Sequence, residues 1–381
     1  MTETNPATER QRFAKAYWDG RAARDAHYSI WGDPSVLNPD QLDEDAFARS
    51  GELSVRQLLP FINPKSTALE IGCGIGRILR PLAGECARVI GVDISPEMIA
   101  KARDYMAGVD NAQLIVGDGA SLPGVANQSV DFVYSLLVLI HVDKRSAYRY
   151  LREIERVLRP GGLALLQFQN MLSPKGLELF QGVVDSDYPF EFYTPEELRW
   201  LLKSVGLEVF SENLNAEFVE VSAVRGSADE WIADWRRDLT VDGVHRTGLF
   251  DPKGGRLDRD GLLAAELKNG GDTWRTVQLT GSLQRRHRGA LHELCWAHGV
   301  LALPPGGEAR IEIRYDGKTG ELAIDGPSEI QQMPSRRSDP FPKQGALEAH
   351  FAVIPAGFNW SEATAELFPT FNGVLPVIER N

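Results

Sequence analysis

The sequence has few cysteines and no long apolar run. Only three cysteines occur in 381 residues, Cys73, Cys86 and Cys295, and their spacing matches no metal-ligand pattern. A disulfide-stapled secreted module is therefore excluded, and a reduced, cytoplasmic protein is expected. The N-terminus, Met-Thr-Glu-Thr-Asn-Pro, is polar and has no signal-like apolar segment. No apolar stretch reaches the length of a membrane span, so no membrane partner is expected. Positive charge is in deficit. The net charge of −12 argues against sequence-independent binding to a nucleic-acid backbone. Arg285-Arg-His-Arg288 is a local basic run, read as a solvated loop. With 43% hydrophobic and 25% charged residues, the composition is that of a folded globular chain, and the length predicts two domains.

Two phosphate signatures are also missing. The stretch Thr67-Ala-Leu-Glu70-Ile-Gly72-Cys-Gly74-Ile-Gly76 is a short apolar run, a carboxylate and three alternating glycines. It predicts a strand, a tight turn and a helix start. The dinucleotide pattern G-x-G-x-x-G fails because its third glycine slot falls on Arg77. The G-x-x-x-x-G-K-[ST] loop is absent too. Glu70 would place negative charge beside a pyrophosphate, so a nucleoside ligand with a cationic end and no phosphate fits better. A turn that binds nothing explains a lone glycine cluster equally well.

Two further acids narrow that choice. Val89-Ile-Gly-Val-Asp93 is a second strand ending in an acid, about 20 residues beyond the glycines, where a ribose-binding carboxylate is expected. Ser95 and Pro96 then cap and open a helix. Gln113-Leu-Ile-Val-Gly-Asp118 is a third such strand, and Asp118 can accept from an adenine amine. Any one of these acids serves as well in a cap or turn. Acids at three successive strand ends suit ligand binding at the carboxyl edge of an open α/β sheet.

With Leu69-Glu70-Ile-Gly-Cys-Gly-Ile-Gly-Arg77, Gly91-Val-Asp93-Ile-Ser, Gly117-Asp118-Gly-Ala120, Asp131-Phe-Val-Tyr-Ser-Leu-Leu137 and Arg156-Val-Leu-Arg-Pro-Gly-Gly162, the chain resembles the class I S-adenosylmethionine-dependent methyltransferases. The resemblance covers roughly residues 50 to 225 and is nearest to the small-molecule type. It implies a Rossmann-like, doubly wound, mostly parallel α/β sheet with S-adenosyl-L-methionine as cofactor. Glu70, Gly72, Gly74 and Gly76 would hold the methionine end and Asp93 the ribose. Asp118, with Gly119 and Ala120, would meet the adenine, and Ile94 and Leu136 would supply apolar flanks. N-terminal segments in this family often close over the cofactor, which would give Tyr17, Trp18, Tyr28 and Trp31 a lid role. Plain packing on the sheet accounts for each of them as well.

The expected organisation is an N-terminal helical lid segment over 1–60, a cofactor-binding core over 61–225 and a β-rich accessory domain over 226–381. Helices are expected over Ala7 to Trp18 and Glu44 to Phe61, with an aromatic, turn-rich piece between them. Strands near 67–71, 88–92, 112–116, 130–135 and 162–168 alternate with helices near 77–84, 96–106, 145–158 and 194–204. Thr194 and Glu197 form a capping box. Two strands, the last antiparallel, close the core. Beyond it a helix is expected over Ala228 to Leu239 and another near Leu262 to Leu267. Strands are expected at Trp274 to Gln284 and Leu347 to Ile354, with a hairpin of Arg310–Tyr315 and Glu321–Asp325.

Methyl transfer to a hydroxyl or protonated amine calls for a base, and His is the side chain suited to neutral pH. His141, just past the fourth strand, is the candidate, although a strand-capping role suits it as well. His27 is weaker. Gln167, Gln169 and Asn170 are candidate substrate contacts, and 180–192 a candidate far wall. The expected partner is a small-molecule acceptor, with self-association through 226–381 as a further option. The competing readings are a non-catalytic cofactor-binding scaffold and an NAD-dependent oxidoreductase. Calorimetry with the two cofactors separates the enzymatic pair.

Overall fold

The computed structural model describes residues 9–31, 44–186, 189–247, 260–287, 290–319, 321–327, 330–333 and 346–357. The chain divides into two compact units, Met1–Trp231 and Ile232–Asn381. The division falls inside a helix, a few residues beyond the boundary expected at 225.

The first unit is built on an eight-stranded sheet. Its strands are β1 (Thr67–Ile71), β2 (Arg88–Asp93), β3 (Ala112–Val116), β4 (Val130–Ser135), β5 (Leu158–Asn170), β6 (Phe192–Tyr193), β7 (Leu207–Leu214) and β8 (Phe218–Arg225). The order is β3-β2-β1-β4-β5-β8-β7, with the short β6 paired to β5. All pairs through β5 and β6 are parallel, whereas β8 is antiparallel to both β5 and β7. Ala68, Leu69, Glu70 and Ile71 are all buried, as expected of a parallel strand covered on both faces. Strand order reverses between β1 and β4, so the crevice at their carboxyl ends is the natural ligand site. Glu70 stands near the end of one strand and Leu136 just past the other.

The helices follow from local signals. They are α1 (Glu9–Trp31), α2 (Glu44–Arg56), α3 (Leu79–Leu82), α4 (Pro96–Tyr105), α5 (Lys144–Val157), α6 (Pro174–Val183), α7 (Pro195–Ser204) and α8 (Ala228–Asp238). Ser95, Asp143, Ser173 and Thr194 each accept backbone N–H bonds as N-caps of α4, α5, α6 and α7. The helix expected over 77–84 is only one turn, because Pro81 lies inside it and Gly84 just beyond. The helix expected to stop at Trp18 runs on to Trp31, through what sequence reading took as turn-rich chain. Its second half is held by packing: Ala22, Ala26 and Ile30 join Phe47, Ile75 and Met98 in one apolar cluster. The side chains of Tyr28 and Trp31 lie outside the described residues.

The second unit holds two four-stranded antiparallel sheets, β14-β13-β10-β9 and β15-β12-β11-β16. These strands are β9 (Leu239–Thr247), β10 (Gly261–Asn269), β11 (Arg275–His287), β12 (Ala290–Leu303), β13 (Glu308–Asp316), β14 (Glu321–Asp325), β15 (Gln331–Met333) and β16 (Ala346–Ile354). Both sheets feed one core that includes Leu263, Leu267, Leu279, Leu301, Ile311, Ile313 and Val353. The expected hairpin is β13–β14. Residues 262–267, expected as a helix, are instead strand β10. A short apolar run fits either period, and pairing with β9 and β13 decides it. Residues 285–287, expected as a loop, end strand β11; their side chains lie outside the described residues.

Candidate functional site

The glycine turn after β1 is held at both ends. Gly72 and Gly74 have φ of 77° and 51°, in the left-handed region that a Cβ disfavours. A Cβ on Gly72 would meet Val138 at 2.4 Å, and one on Gly74 would meet Ile30 of α1 at 2.7 Å. The turn therefore permits close approach from two directions. Gly72 N–H donates to the Val92 carbonyl at 2.7 Å. Gly74 N–H donates to Asp93 Oδ2 at 2.9 Å, and Ser95 N–H donates to the other oxygen, Oδ1, at 2.9 Å. Asp93 thus ties the glycine turn to the cap of α4. Burial pushes its carboxyl up to about 6, against the lowering effect of those two N–H donors.

Glu70 is buried at the floor of the site. It accepts from the Tyr134 hydroxyl at 3.0 Å. Burial raises its carboxyl to about 8, even though Tyr134 and the nearby Arg77 charge pull it down. Arg77 donates through Nη1 to the Ser50 carbonyl at 2.9 Å and to Ser54 Oγ at 3.0 Å. Its Nε is buried and has no partner.

Above these groups lies a cavity of about 910 Å³, near the upper end for a ligand site. Its lining includes Glu70, Gly72, Gly74, Arg77, Asp93, Ile94, Gly119, Leu136 and His141. The structure therefore brings together most of the residues selected from sequence. Gly76 is absent from the lining; a Cβ on it would meet Met106 at 3.1 Å. Asp118 and Ala120 are also absent; they line a separate depression with Ser121 and Arg152. Asp118 accepts from Ala120 N–H at 2.9 Å and Ser121 N–H at 2.7 Å through one oxygen, and from Ser121 Oγ at 2.8 Å through the other. It closes its own turn.

His141 lines the same cavity. Its Nδ1 is 2.8 Å from the Pro189 carbonyl. A carbonyl only accepts, so the proton sits on Nδ1 and the basic lone pair on Nε2. Trp18 of α1 meets the ring edge-on at 5.2 Å, and Phe190 stands 5.0 Å from it on another side. Burial lowers the imidazole to about 4, against the Pro189 contact. The ring is therefore neutral at neutral pH.

Other candidates have structural partners. His27 packs on Phe47 at 4.8 Å. Gln167 accepts from Leu137 N–H at 3.1 Å, Gln169 donates to the Glu217 carbonyl at 2.7 Å, and Asn170 donates to the Asn215 carbonyl at 3.1 Å. Sequence reading missed Tyr134 as the partner of Glu70, because 64 residues separate them. It also treated Arg77 only as an obstacle to phosphate; an Arg directly after a glycine turn was the available signal. Leu137 lines the cavity at φ 60°, and no sequence feature marks that strain.

Residues 69–166 match the family model described as a methyltransferase domain. This segment is an S-adenosylmethionine-dependent methyltransferase domain. The chain is 28% identical over 201 residues to 2-methyl-6-phytyl-1,4-hydroquinone methyltransferase of Synechocystis sp., covering 50% of this chain and 57% of that protein. It is 30% identical to arsenite methyltransferase of Halobacterium salinarum, covering 46% of this chain and 43% of that protein. The chain spans about half the length of these curated relatives. Magnesium protoporphyrin IX methyltransferase from Synechocystis PCC 6803, solved with bound SAH, aligns over 57% of this chain and 100% of its own, with a TM-score of 0.45 and 21% identity.

The site fits the cofactor of such a domain. Once Glu70 ionises, it and the unpartnered Arg77 Nε offer one acceptor and one donor of opposite charge, the complement of an amino-acid zwitterion. The two left-handed glycines allow close approach, and Asp93 keeps lone pairs for ribose hydroxyls. Among the described residues, no His, Cys, Asp or Glu cluster suits a metal ion. Nor is any described helix long and apolar enough to cross a membrane.

Proposed function

We propose that this protein transfers a methyl group from S-adenosylmethionine to a small-molecule acceptor, by in-line displacement, in the cytoplasm. The observation that carries this reading is a single cavity lined by the pair Glu70 and Arg77 and by a neutral histidine, His141. When bound, the cofactor supplies an electrophilic methyl on a sulfonium. The chain's own residues do the rest. Glu70 and Arg77 hold the methionine end, Asp93 the ribose, and Ile94, Gly119 and Leu136 the flanks of the nucleoside. Asp118 and Ala120 support the adenine end by shaping the turn that presents Gly119. Trp18 and Phe190 exclude water from the reacting end, which strengthens electrostatics there. His141 Nε2 receives the acceptor's proton while Pro189 fixes the tautomer. Methyl transfer is also the activity in the names of the relatives from Synechocystis and Halobacterium. The buried free thiols Cys73 and Cys86 support a reducing compartment.

Calorimetry with S-adenosylhomocysteine and with NAD tests the cofactor; binding of NAD alone refutes the reading. His141→Ala is expected to lower kcat by about 10²–10⁴-fold with S-adenosylhomocysteine affinity unchanged. Unchanged turnover removes His141 as the base.

A further inference from the structure

The reacting end of the cavity opens onto apolar surface. Phe13 and Leu137 both line it, yet they are 46% and 41% exposed. A series of ring contacts joins Trp18 and His141 of this cavity to α6. Trp18 meets His141 at 5.2 Å, His141 meets Phe190 at 5.0 Å, Phe190 meets Phe192 at 6.0 Å, and Phe192 meets Phe180 of α6 edge-on at 5.4 Å.

Phe180 belongs to a stripe. Leu177, Phe180 and Val184 fall at i, i+3 and i+7, on one face of α6 and its cap. They are exposed by 45%, 37% and 61%, and Leu172 just before the helix by 65%. Exposed apolar groups scattered singly are ordinary, but a contiguous stripe marks a contact surface. The position is equally telling. α6 begins soon after β5, at the carboxyl edge of the sheet.

We propose that the methyl acceptor carries an extended apolar tail, with its reacting head beside His141 and its tail along Leu177, Phe180 and Val184 of α6. This rests on the methyltransferase reading and adds the substrate class. The continuity of the ring contacts from cavity to stripe selects the occupant: a molecule seated at His141 can follow Phe190, Phe192 and Phe180 to α6. A bilayer is the other apolar partner such a face could meet. The net charge of −12 disfavours approach to the anionic cytoplasmic leaflet.

The test uses the full-length protein saturated with S-adenosylhomocysteine and titrated with 4-alkylphenols from ethyl to octyl. Affinity is expected to rise roughly twofold to fourfold per added methylene, the range from partial to full burial. In a Phe180→Ser, Val184→Asn variant the series is expected to flatten beyond the first carbons, with S-adenosylhomocysteine affinity and melting temperature unchanged. The same slope in both proteins, or no slope in the wild type, overturns the proposal. So does a flat series together with sedimentation of the wild type, but not the variant, on phosphatidylcholine vesicles. Failure of S-adenosylhomocysteine to bind sinks the methyltransferase reading by itself; the slope with alkylphenols alone then still judges the apolar groove.

Discussion

Cofactor binding should release a proton from Glu70. In the ligand-free protein, burial holds this carboxyl at about 8, so at pH 7 it is about nine-tenths protonated. Pairing with the cofactor's ammonium requires the ionised form. The proton must therefore leave: about 0.9 per binding event at pH 7, about one at pH 6 and about 0.5 at pH 8. The same linkage weakens apparent affinity by a factor of 1 + 10^(8 − pH), about 11-fold at pH 7 and about 100-fold at pH 6, relative to the ionised site. The sign is opposite for folding. A carboxyl raised from 4.5 to about 8 contributes stability below pH 4.5 and loses it as pH rises through 8, so the ligand-free protein weakens over the range where binding strengthens. Calorimetry with S-adenosylhomocysteine at pH 6, 7 and 8, in phosphate and in Tris, counts the protons from the dependence on buffer ionisation enthalpy. Glu70→Gln is the control, and titration of the ligand itself cancels in the difference. Asp93, at about 6, adds to release only near and below pH 6. No measurable release between pH 6 and 8, or the same release from Glu70→Gln, refutes the assignment of Glu70 to the ammonium.

Two further substitutions probe the supports of the site. Tyr134→Phe removes the donor to Glu70 Oε2 and should lower stability by about 1 kcal/mol in chemical denaturation at pH 5. Because that bond holds the carboxyl down, the pH midpoint of cofactor affinity should also move upward. Gly74→Ala forces a side chain to φ 51°, which should cost about 1–2 kcal/mol in thermal unfolding. It should also displace Ile30, so Ile30→Ala added to it is expected to restore cofactor affinity only in part, since the backbone strain remains.

Much of the first unit was legible because its signals are local. Apolar runs ending in Asp93 and near Glu70, and the caps Ser95 and Thr194, each fix an element within a few residues of themselves. What was not legible depends on partners distant in sequence. α1 continues past Trp18 because Ala22, Ala26 and Ile30 find Phe47, Ile75 and Met98. β10 is a strand because β9 and β13 lie beside it, since Leu262 to Leu267 satisfies either period. In the site, the spacing of the strand-end acids located three carboxylates at one edge of the sheet but could not orient them. Asp93 ends β2, in register with Val116, and reaches back to the glycine turn and lines the cavity, whereas Asp118 lies two residues beyond β3 and closes its own loop. Gly119, next to Asp118, is the residue that lines the cavity, and a Cβ there would meet Ile94 at 2.7 Å.

That division bears on how the two ends of the cavity act. The cofactor end is set by short-range features of the sheet: a turn, a strand-end acid and a buried Glu. The reacting end is assembled from parts far apart in the chain, Trp18 of α1, His141 after β4 and Phe190 before β6. Nothing in any one of those segments specifies the others. A change at Trp18 or Phe190 can therefore alter which acceptor is taken while leaving the Glu70 and Asp93 groups intact. The ring contacts at His141 make this concrete. Losing the Trp18 contact admits water to the imidazole, reduces its desolvation and lets its pKa rise from about 4 towards 6.5. The cofactor groups lie on other strands and keep their own hydrogen bonds, so acceptor choice and cofactor affinity are separable properties of one cavity.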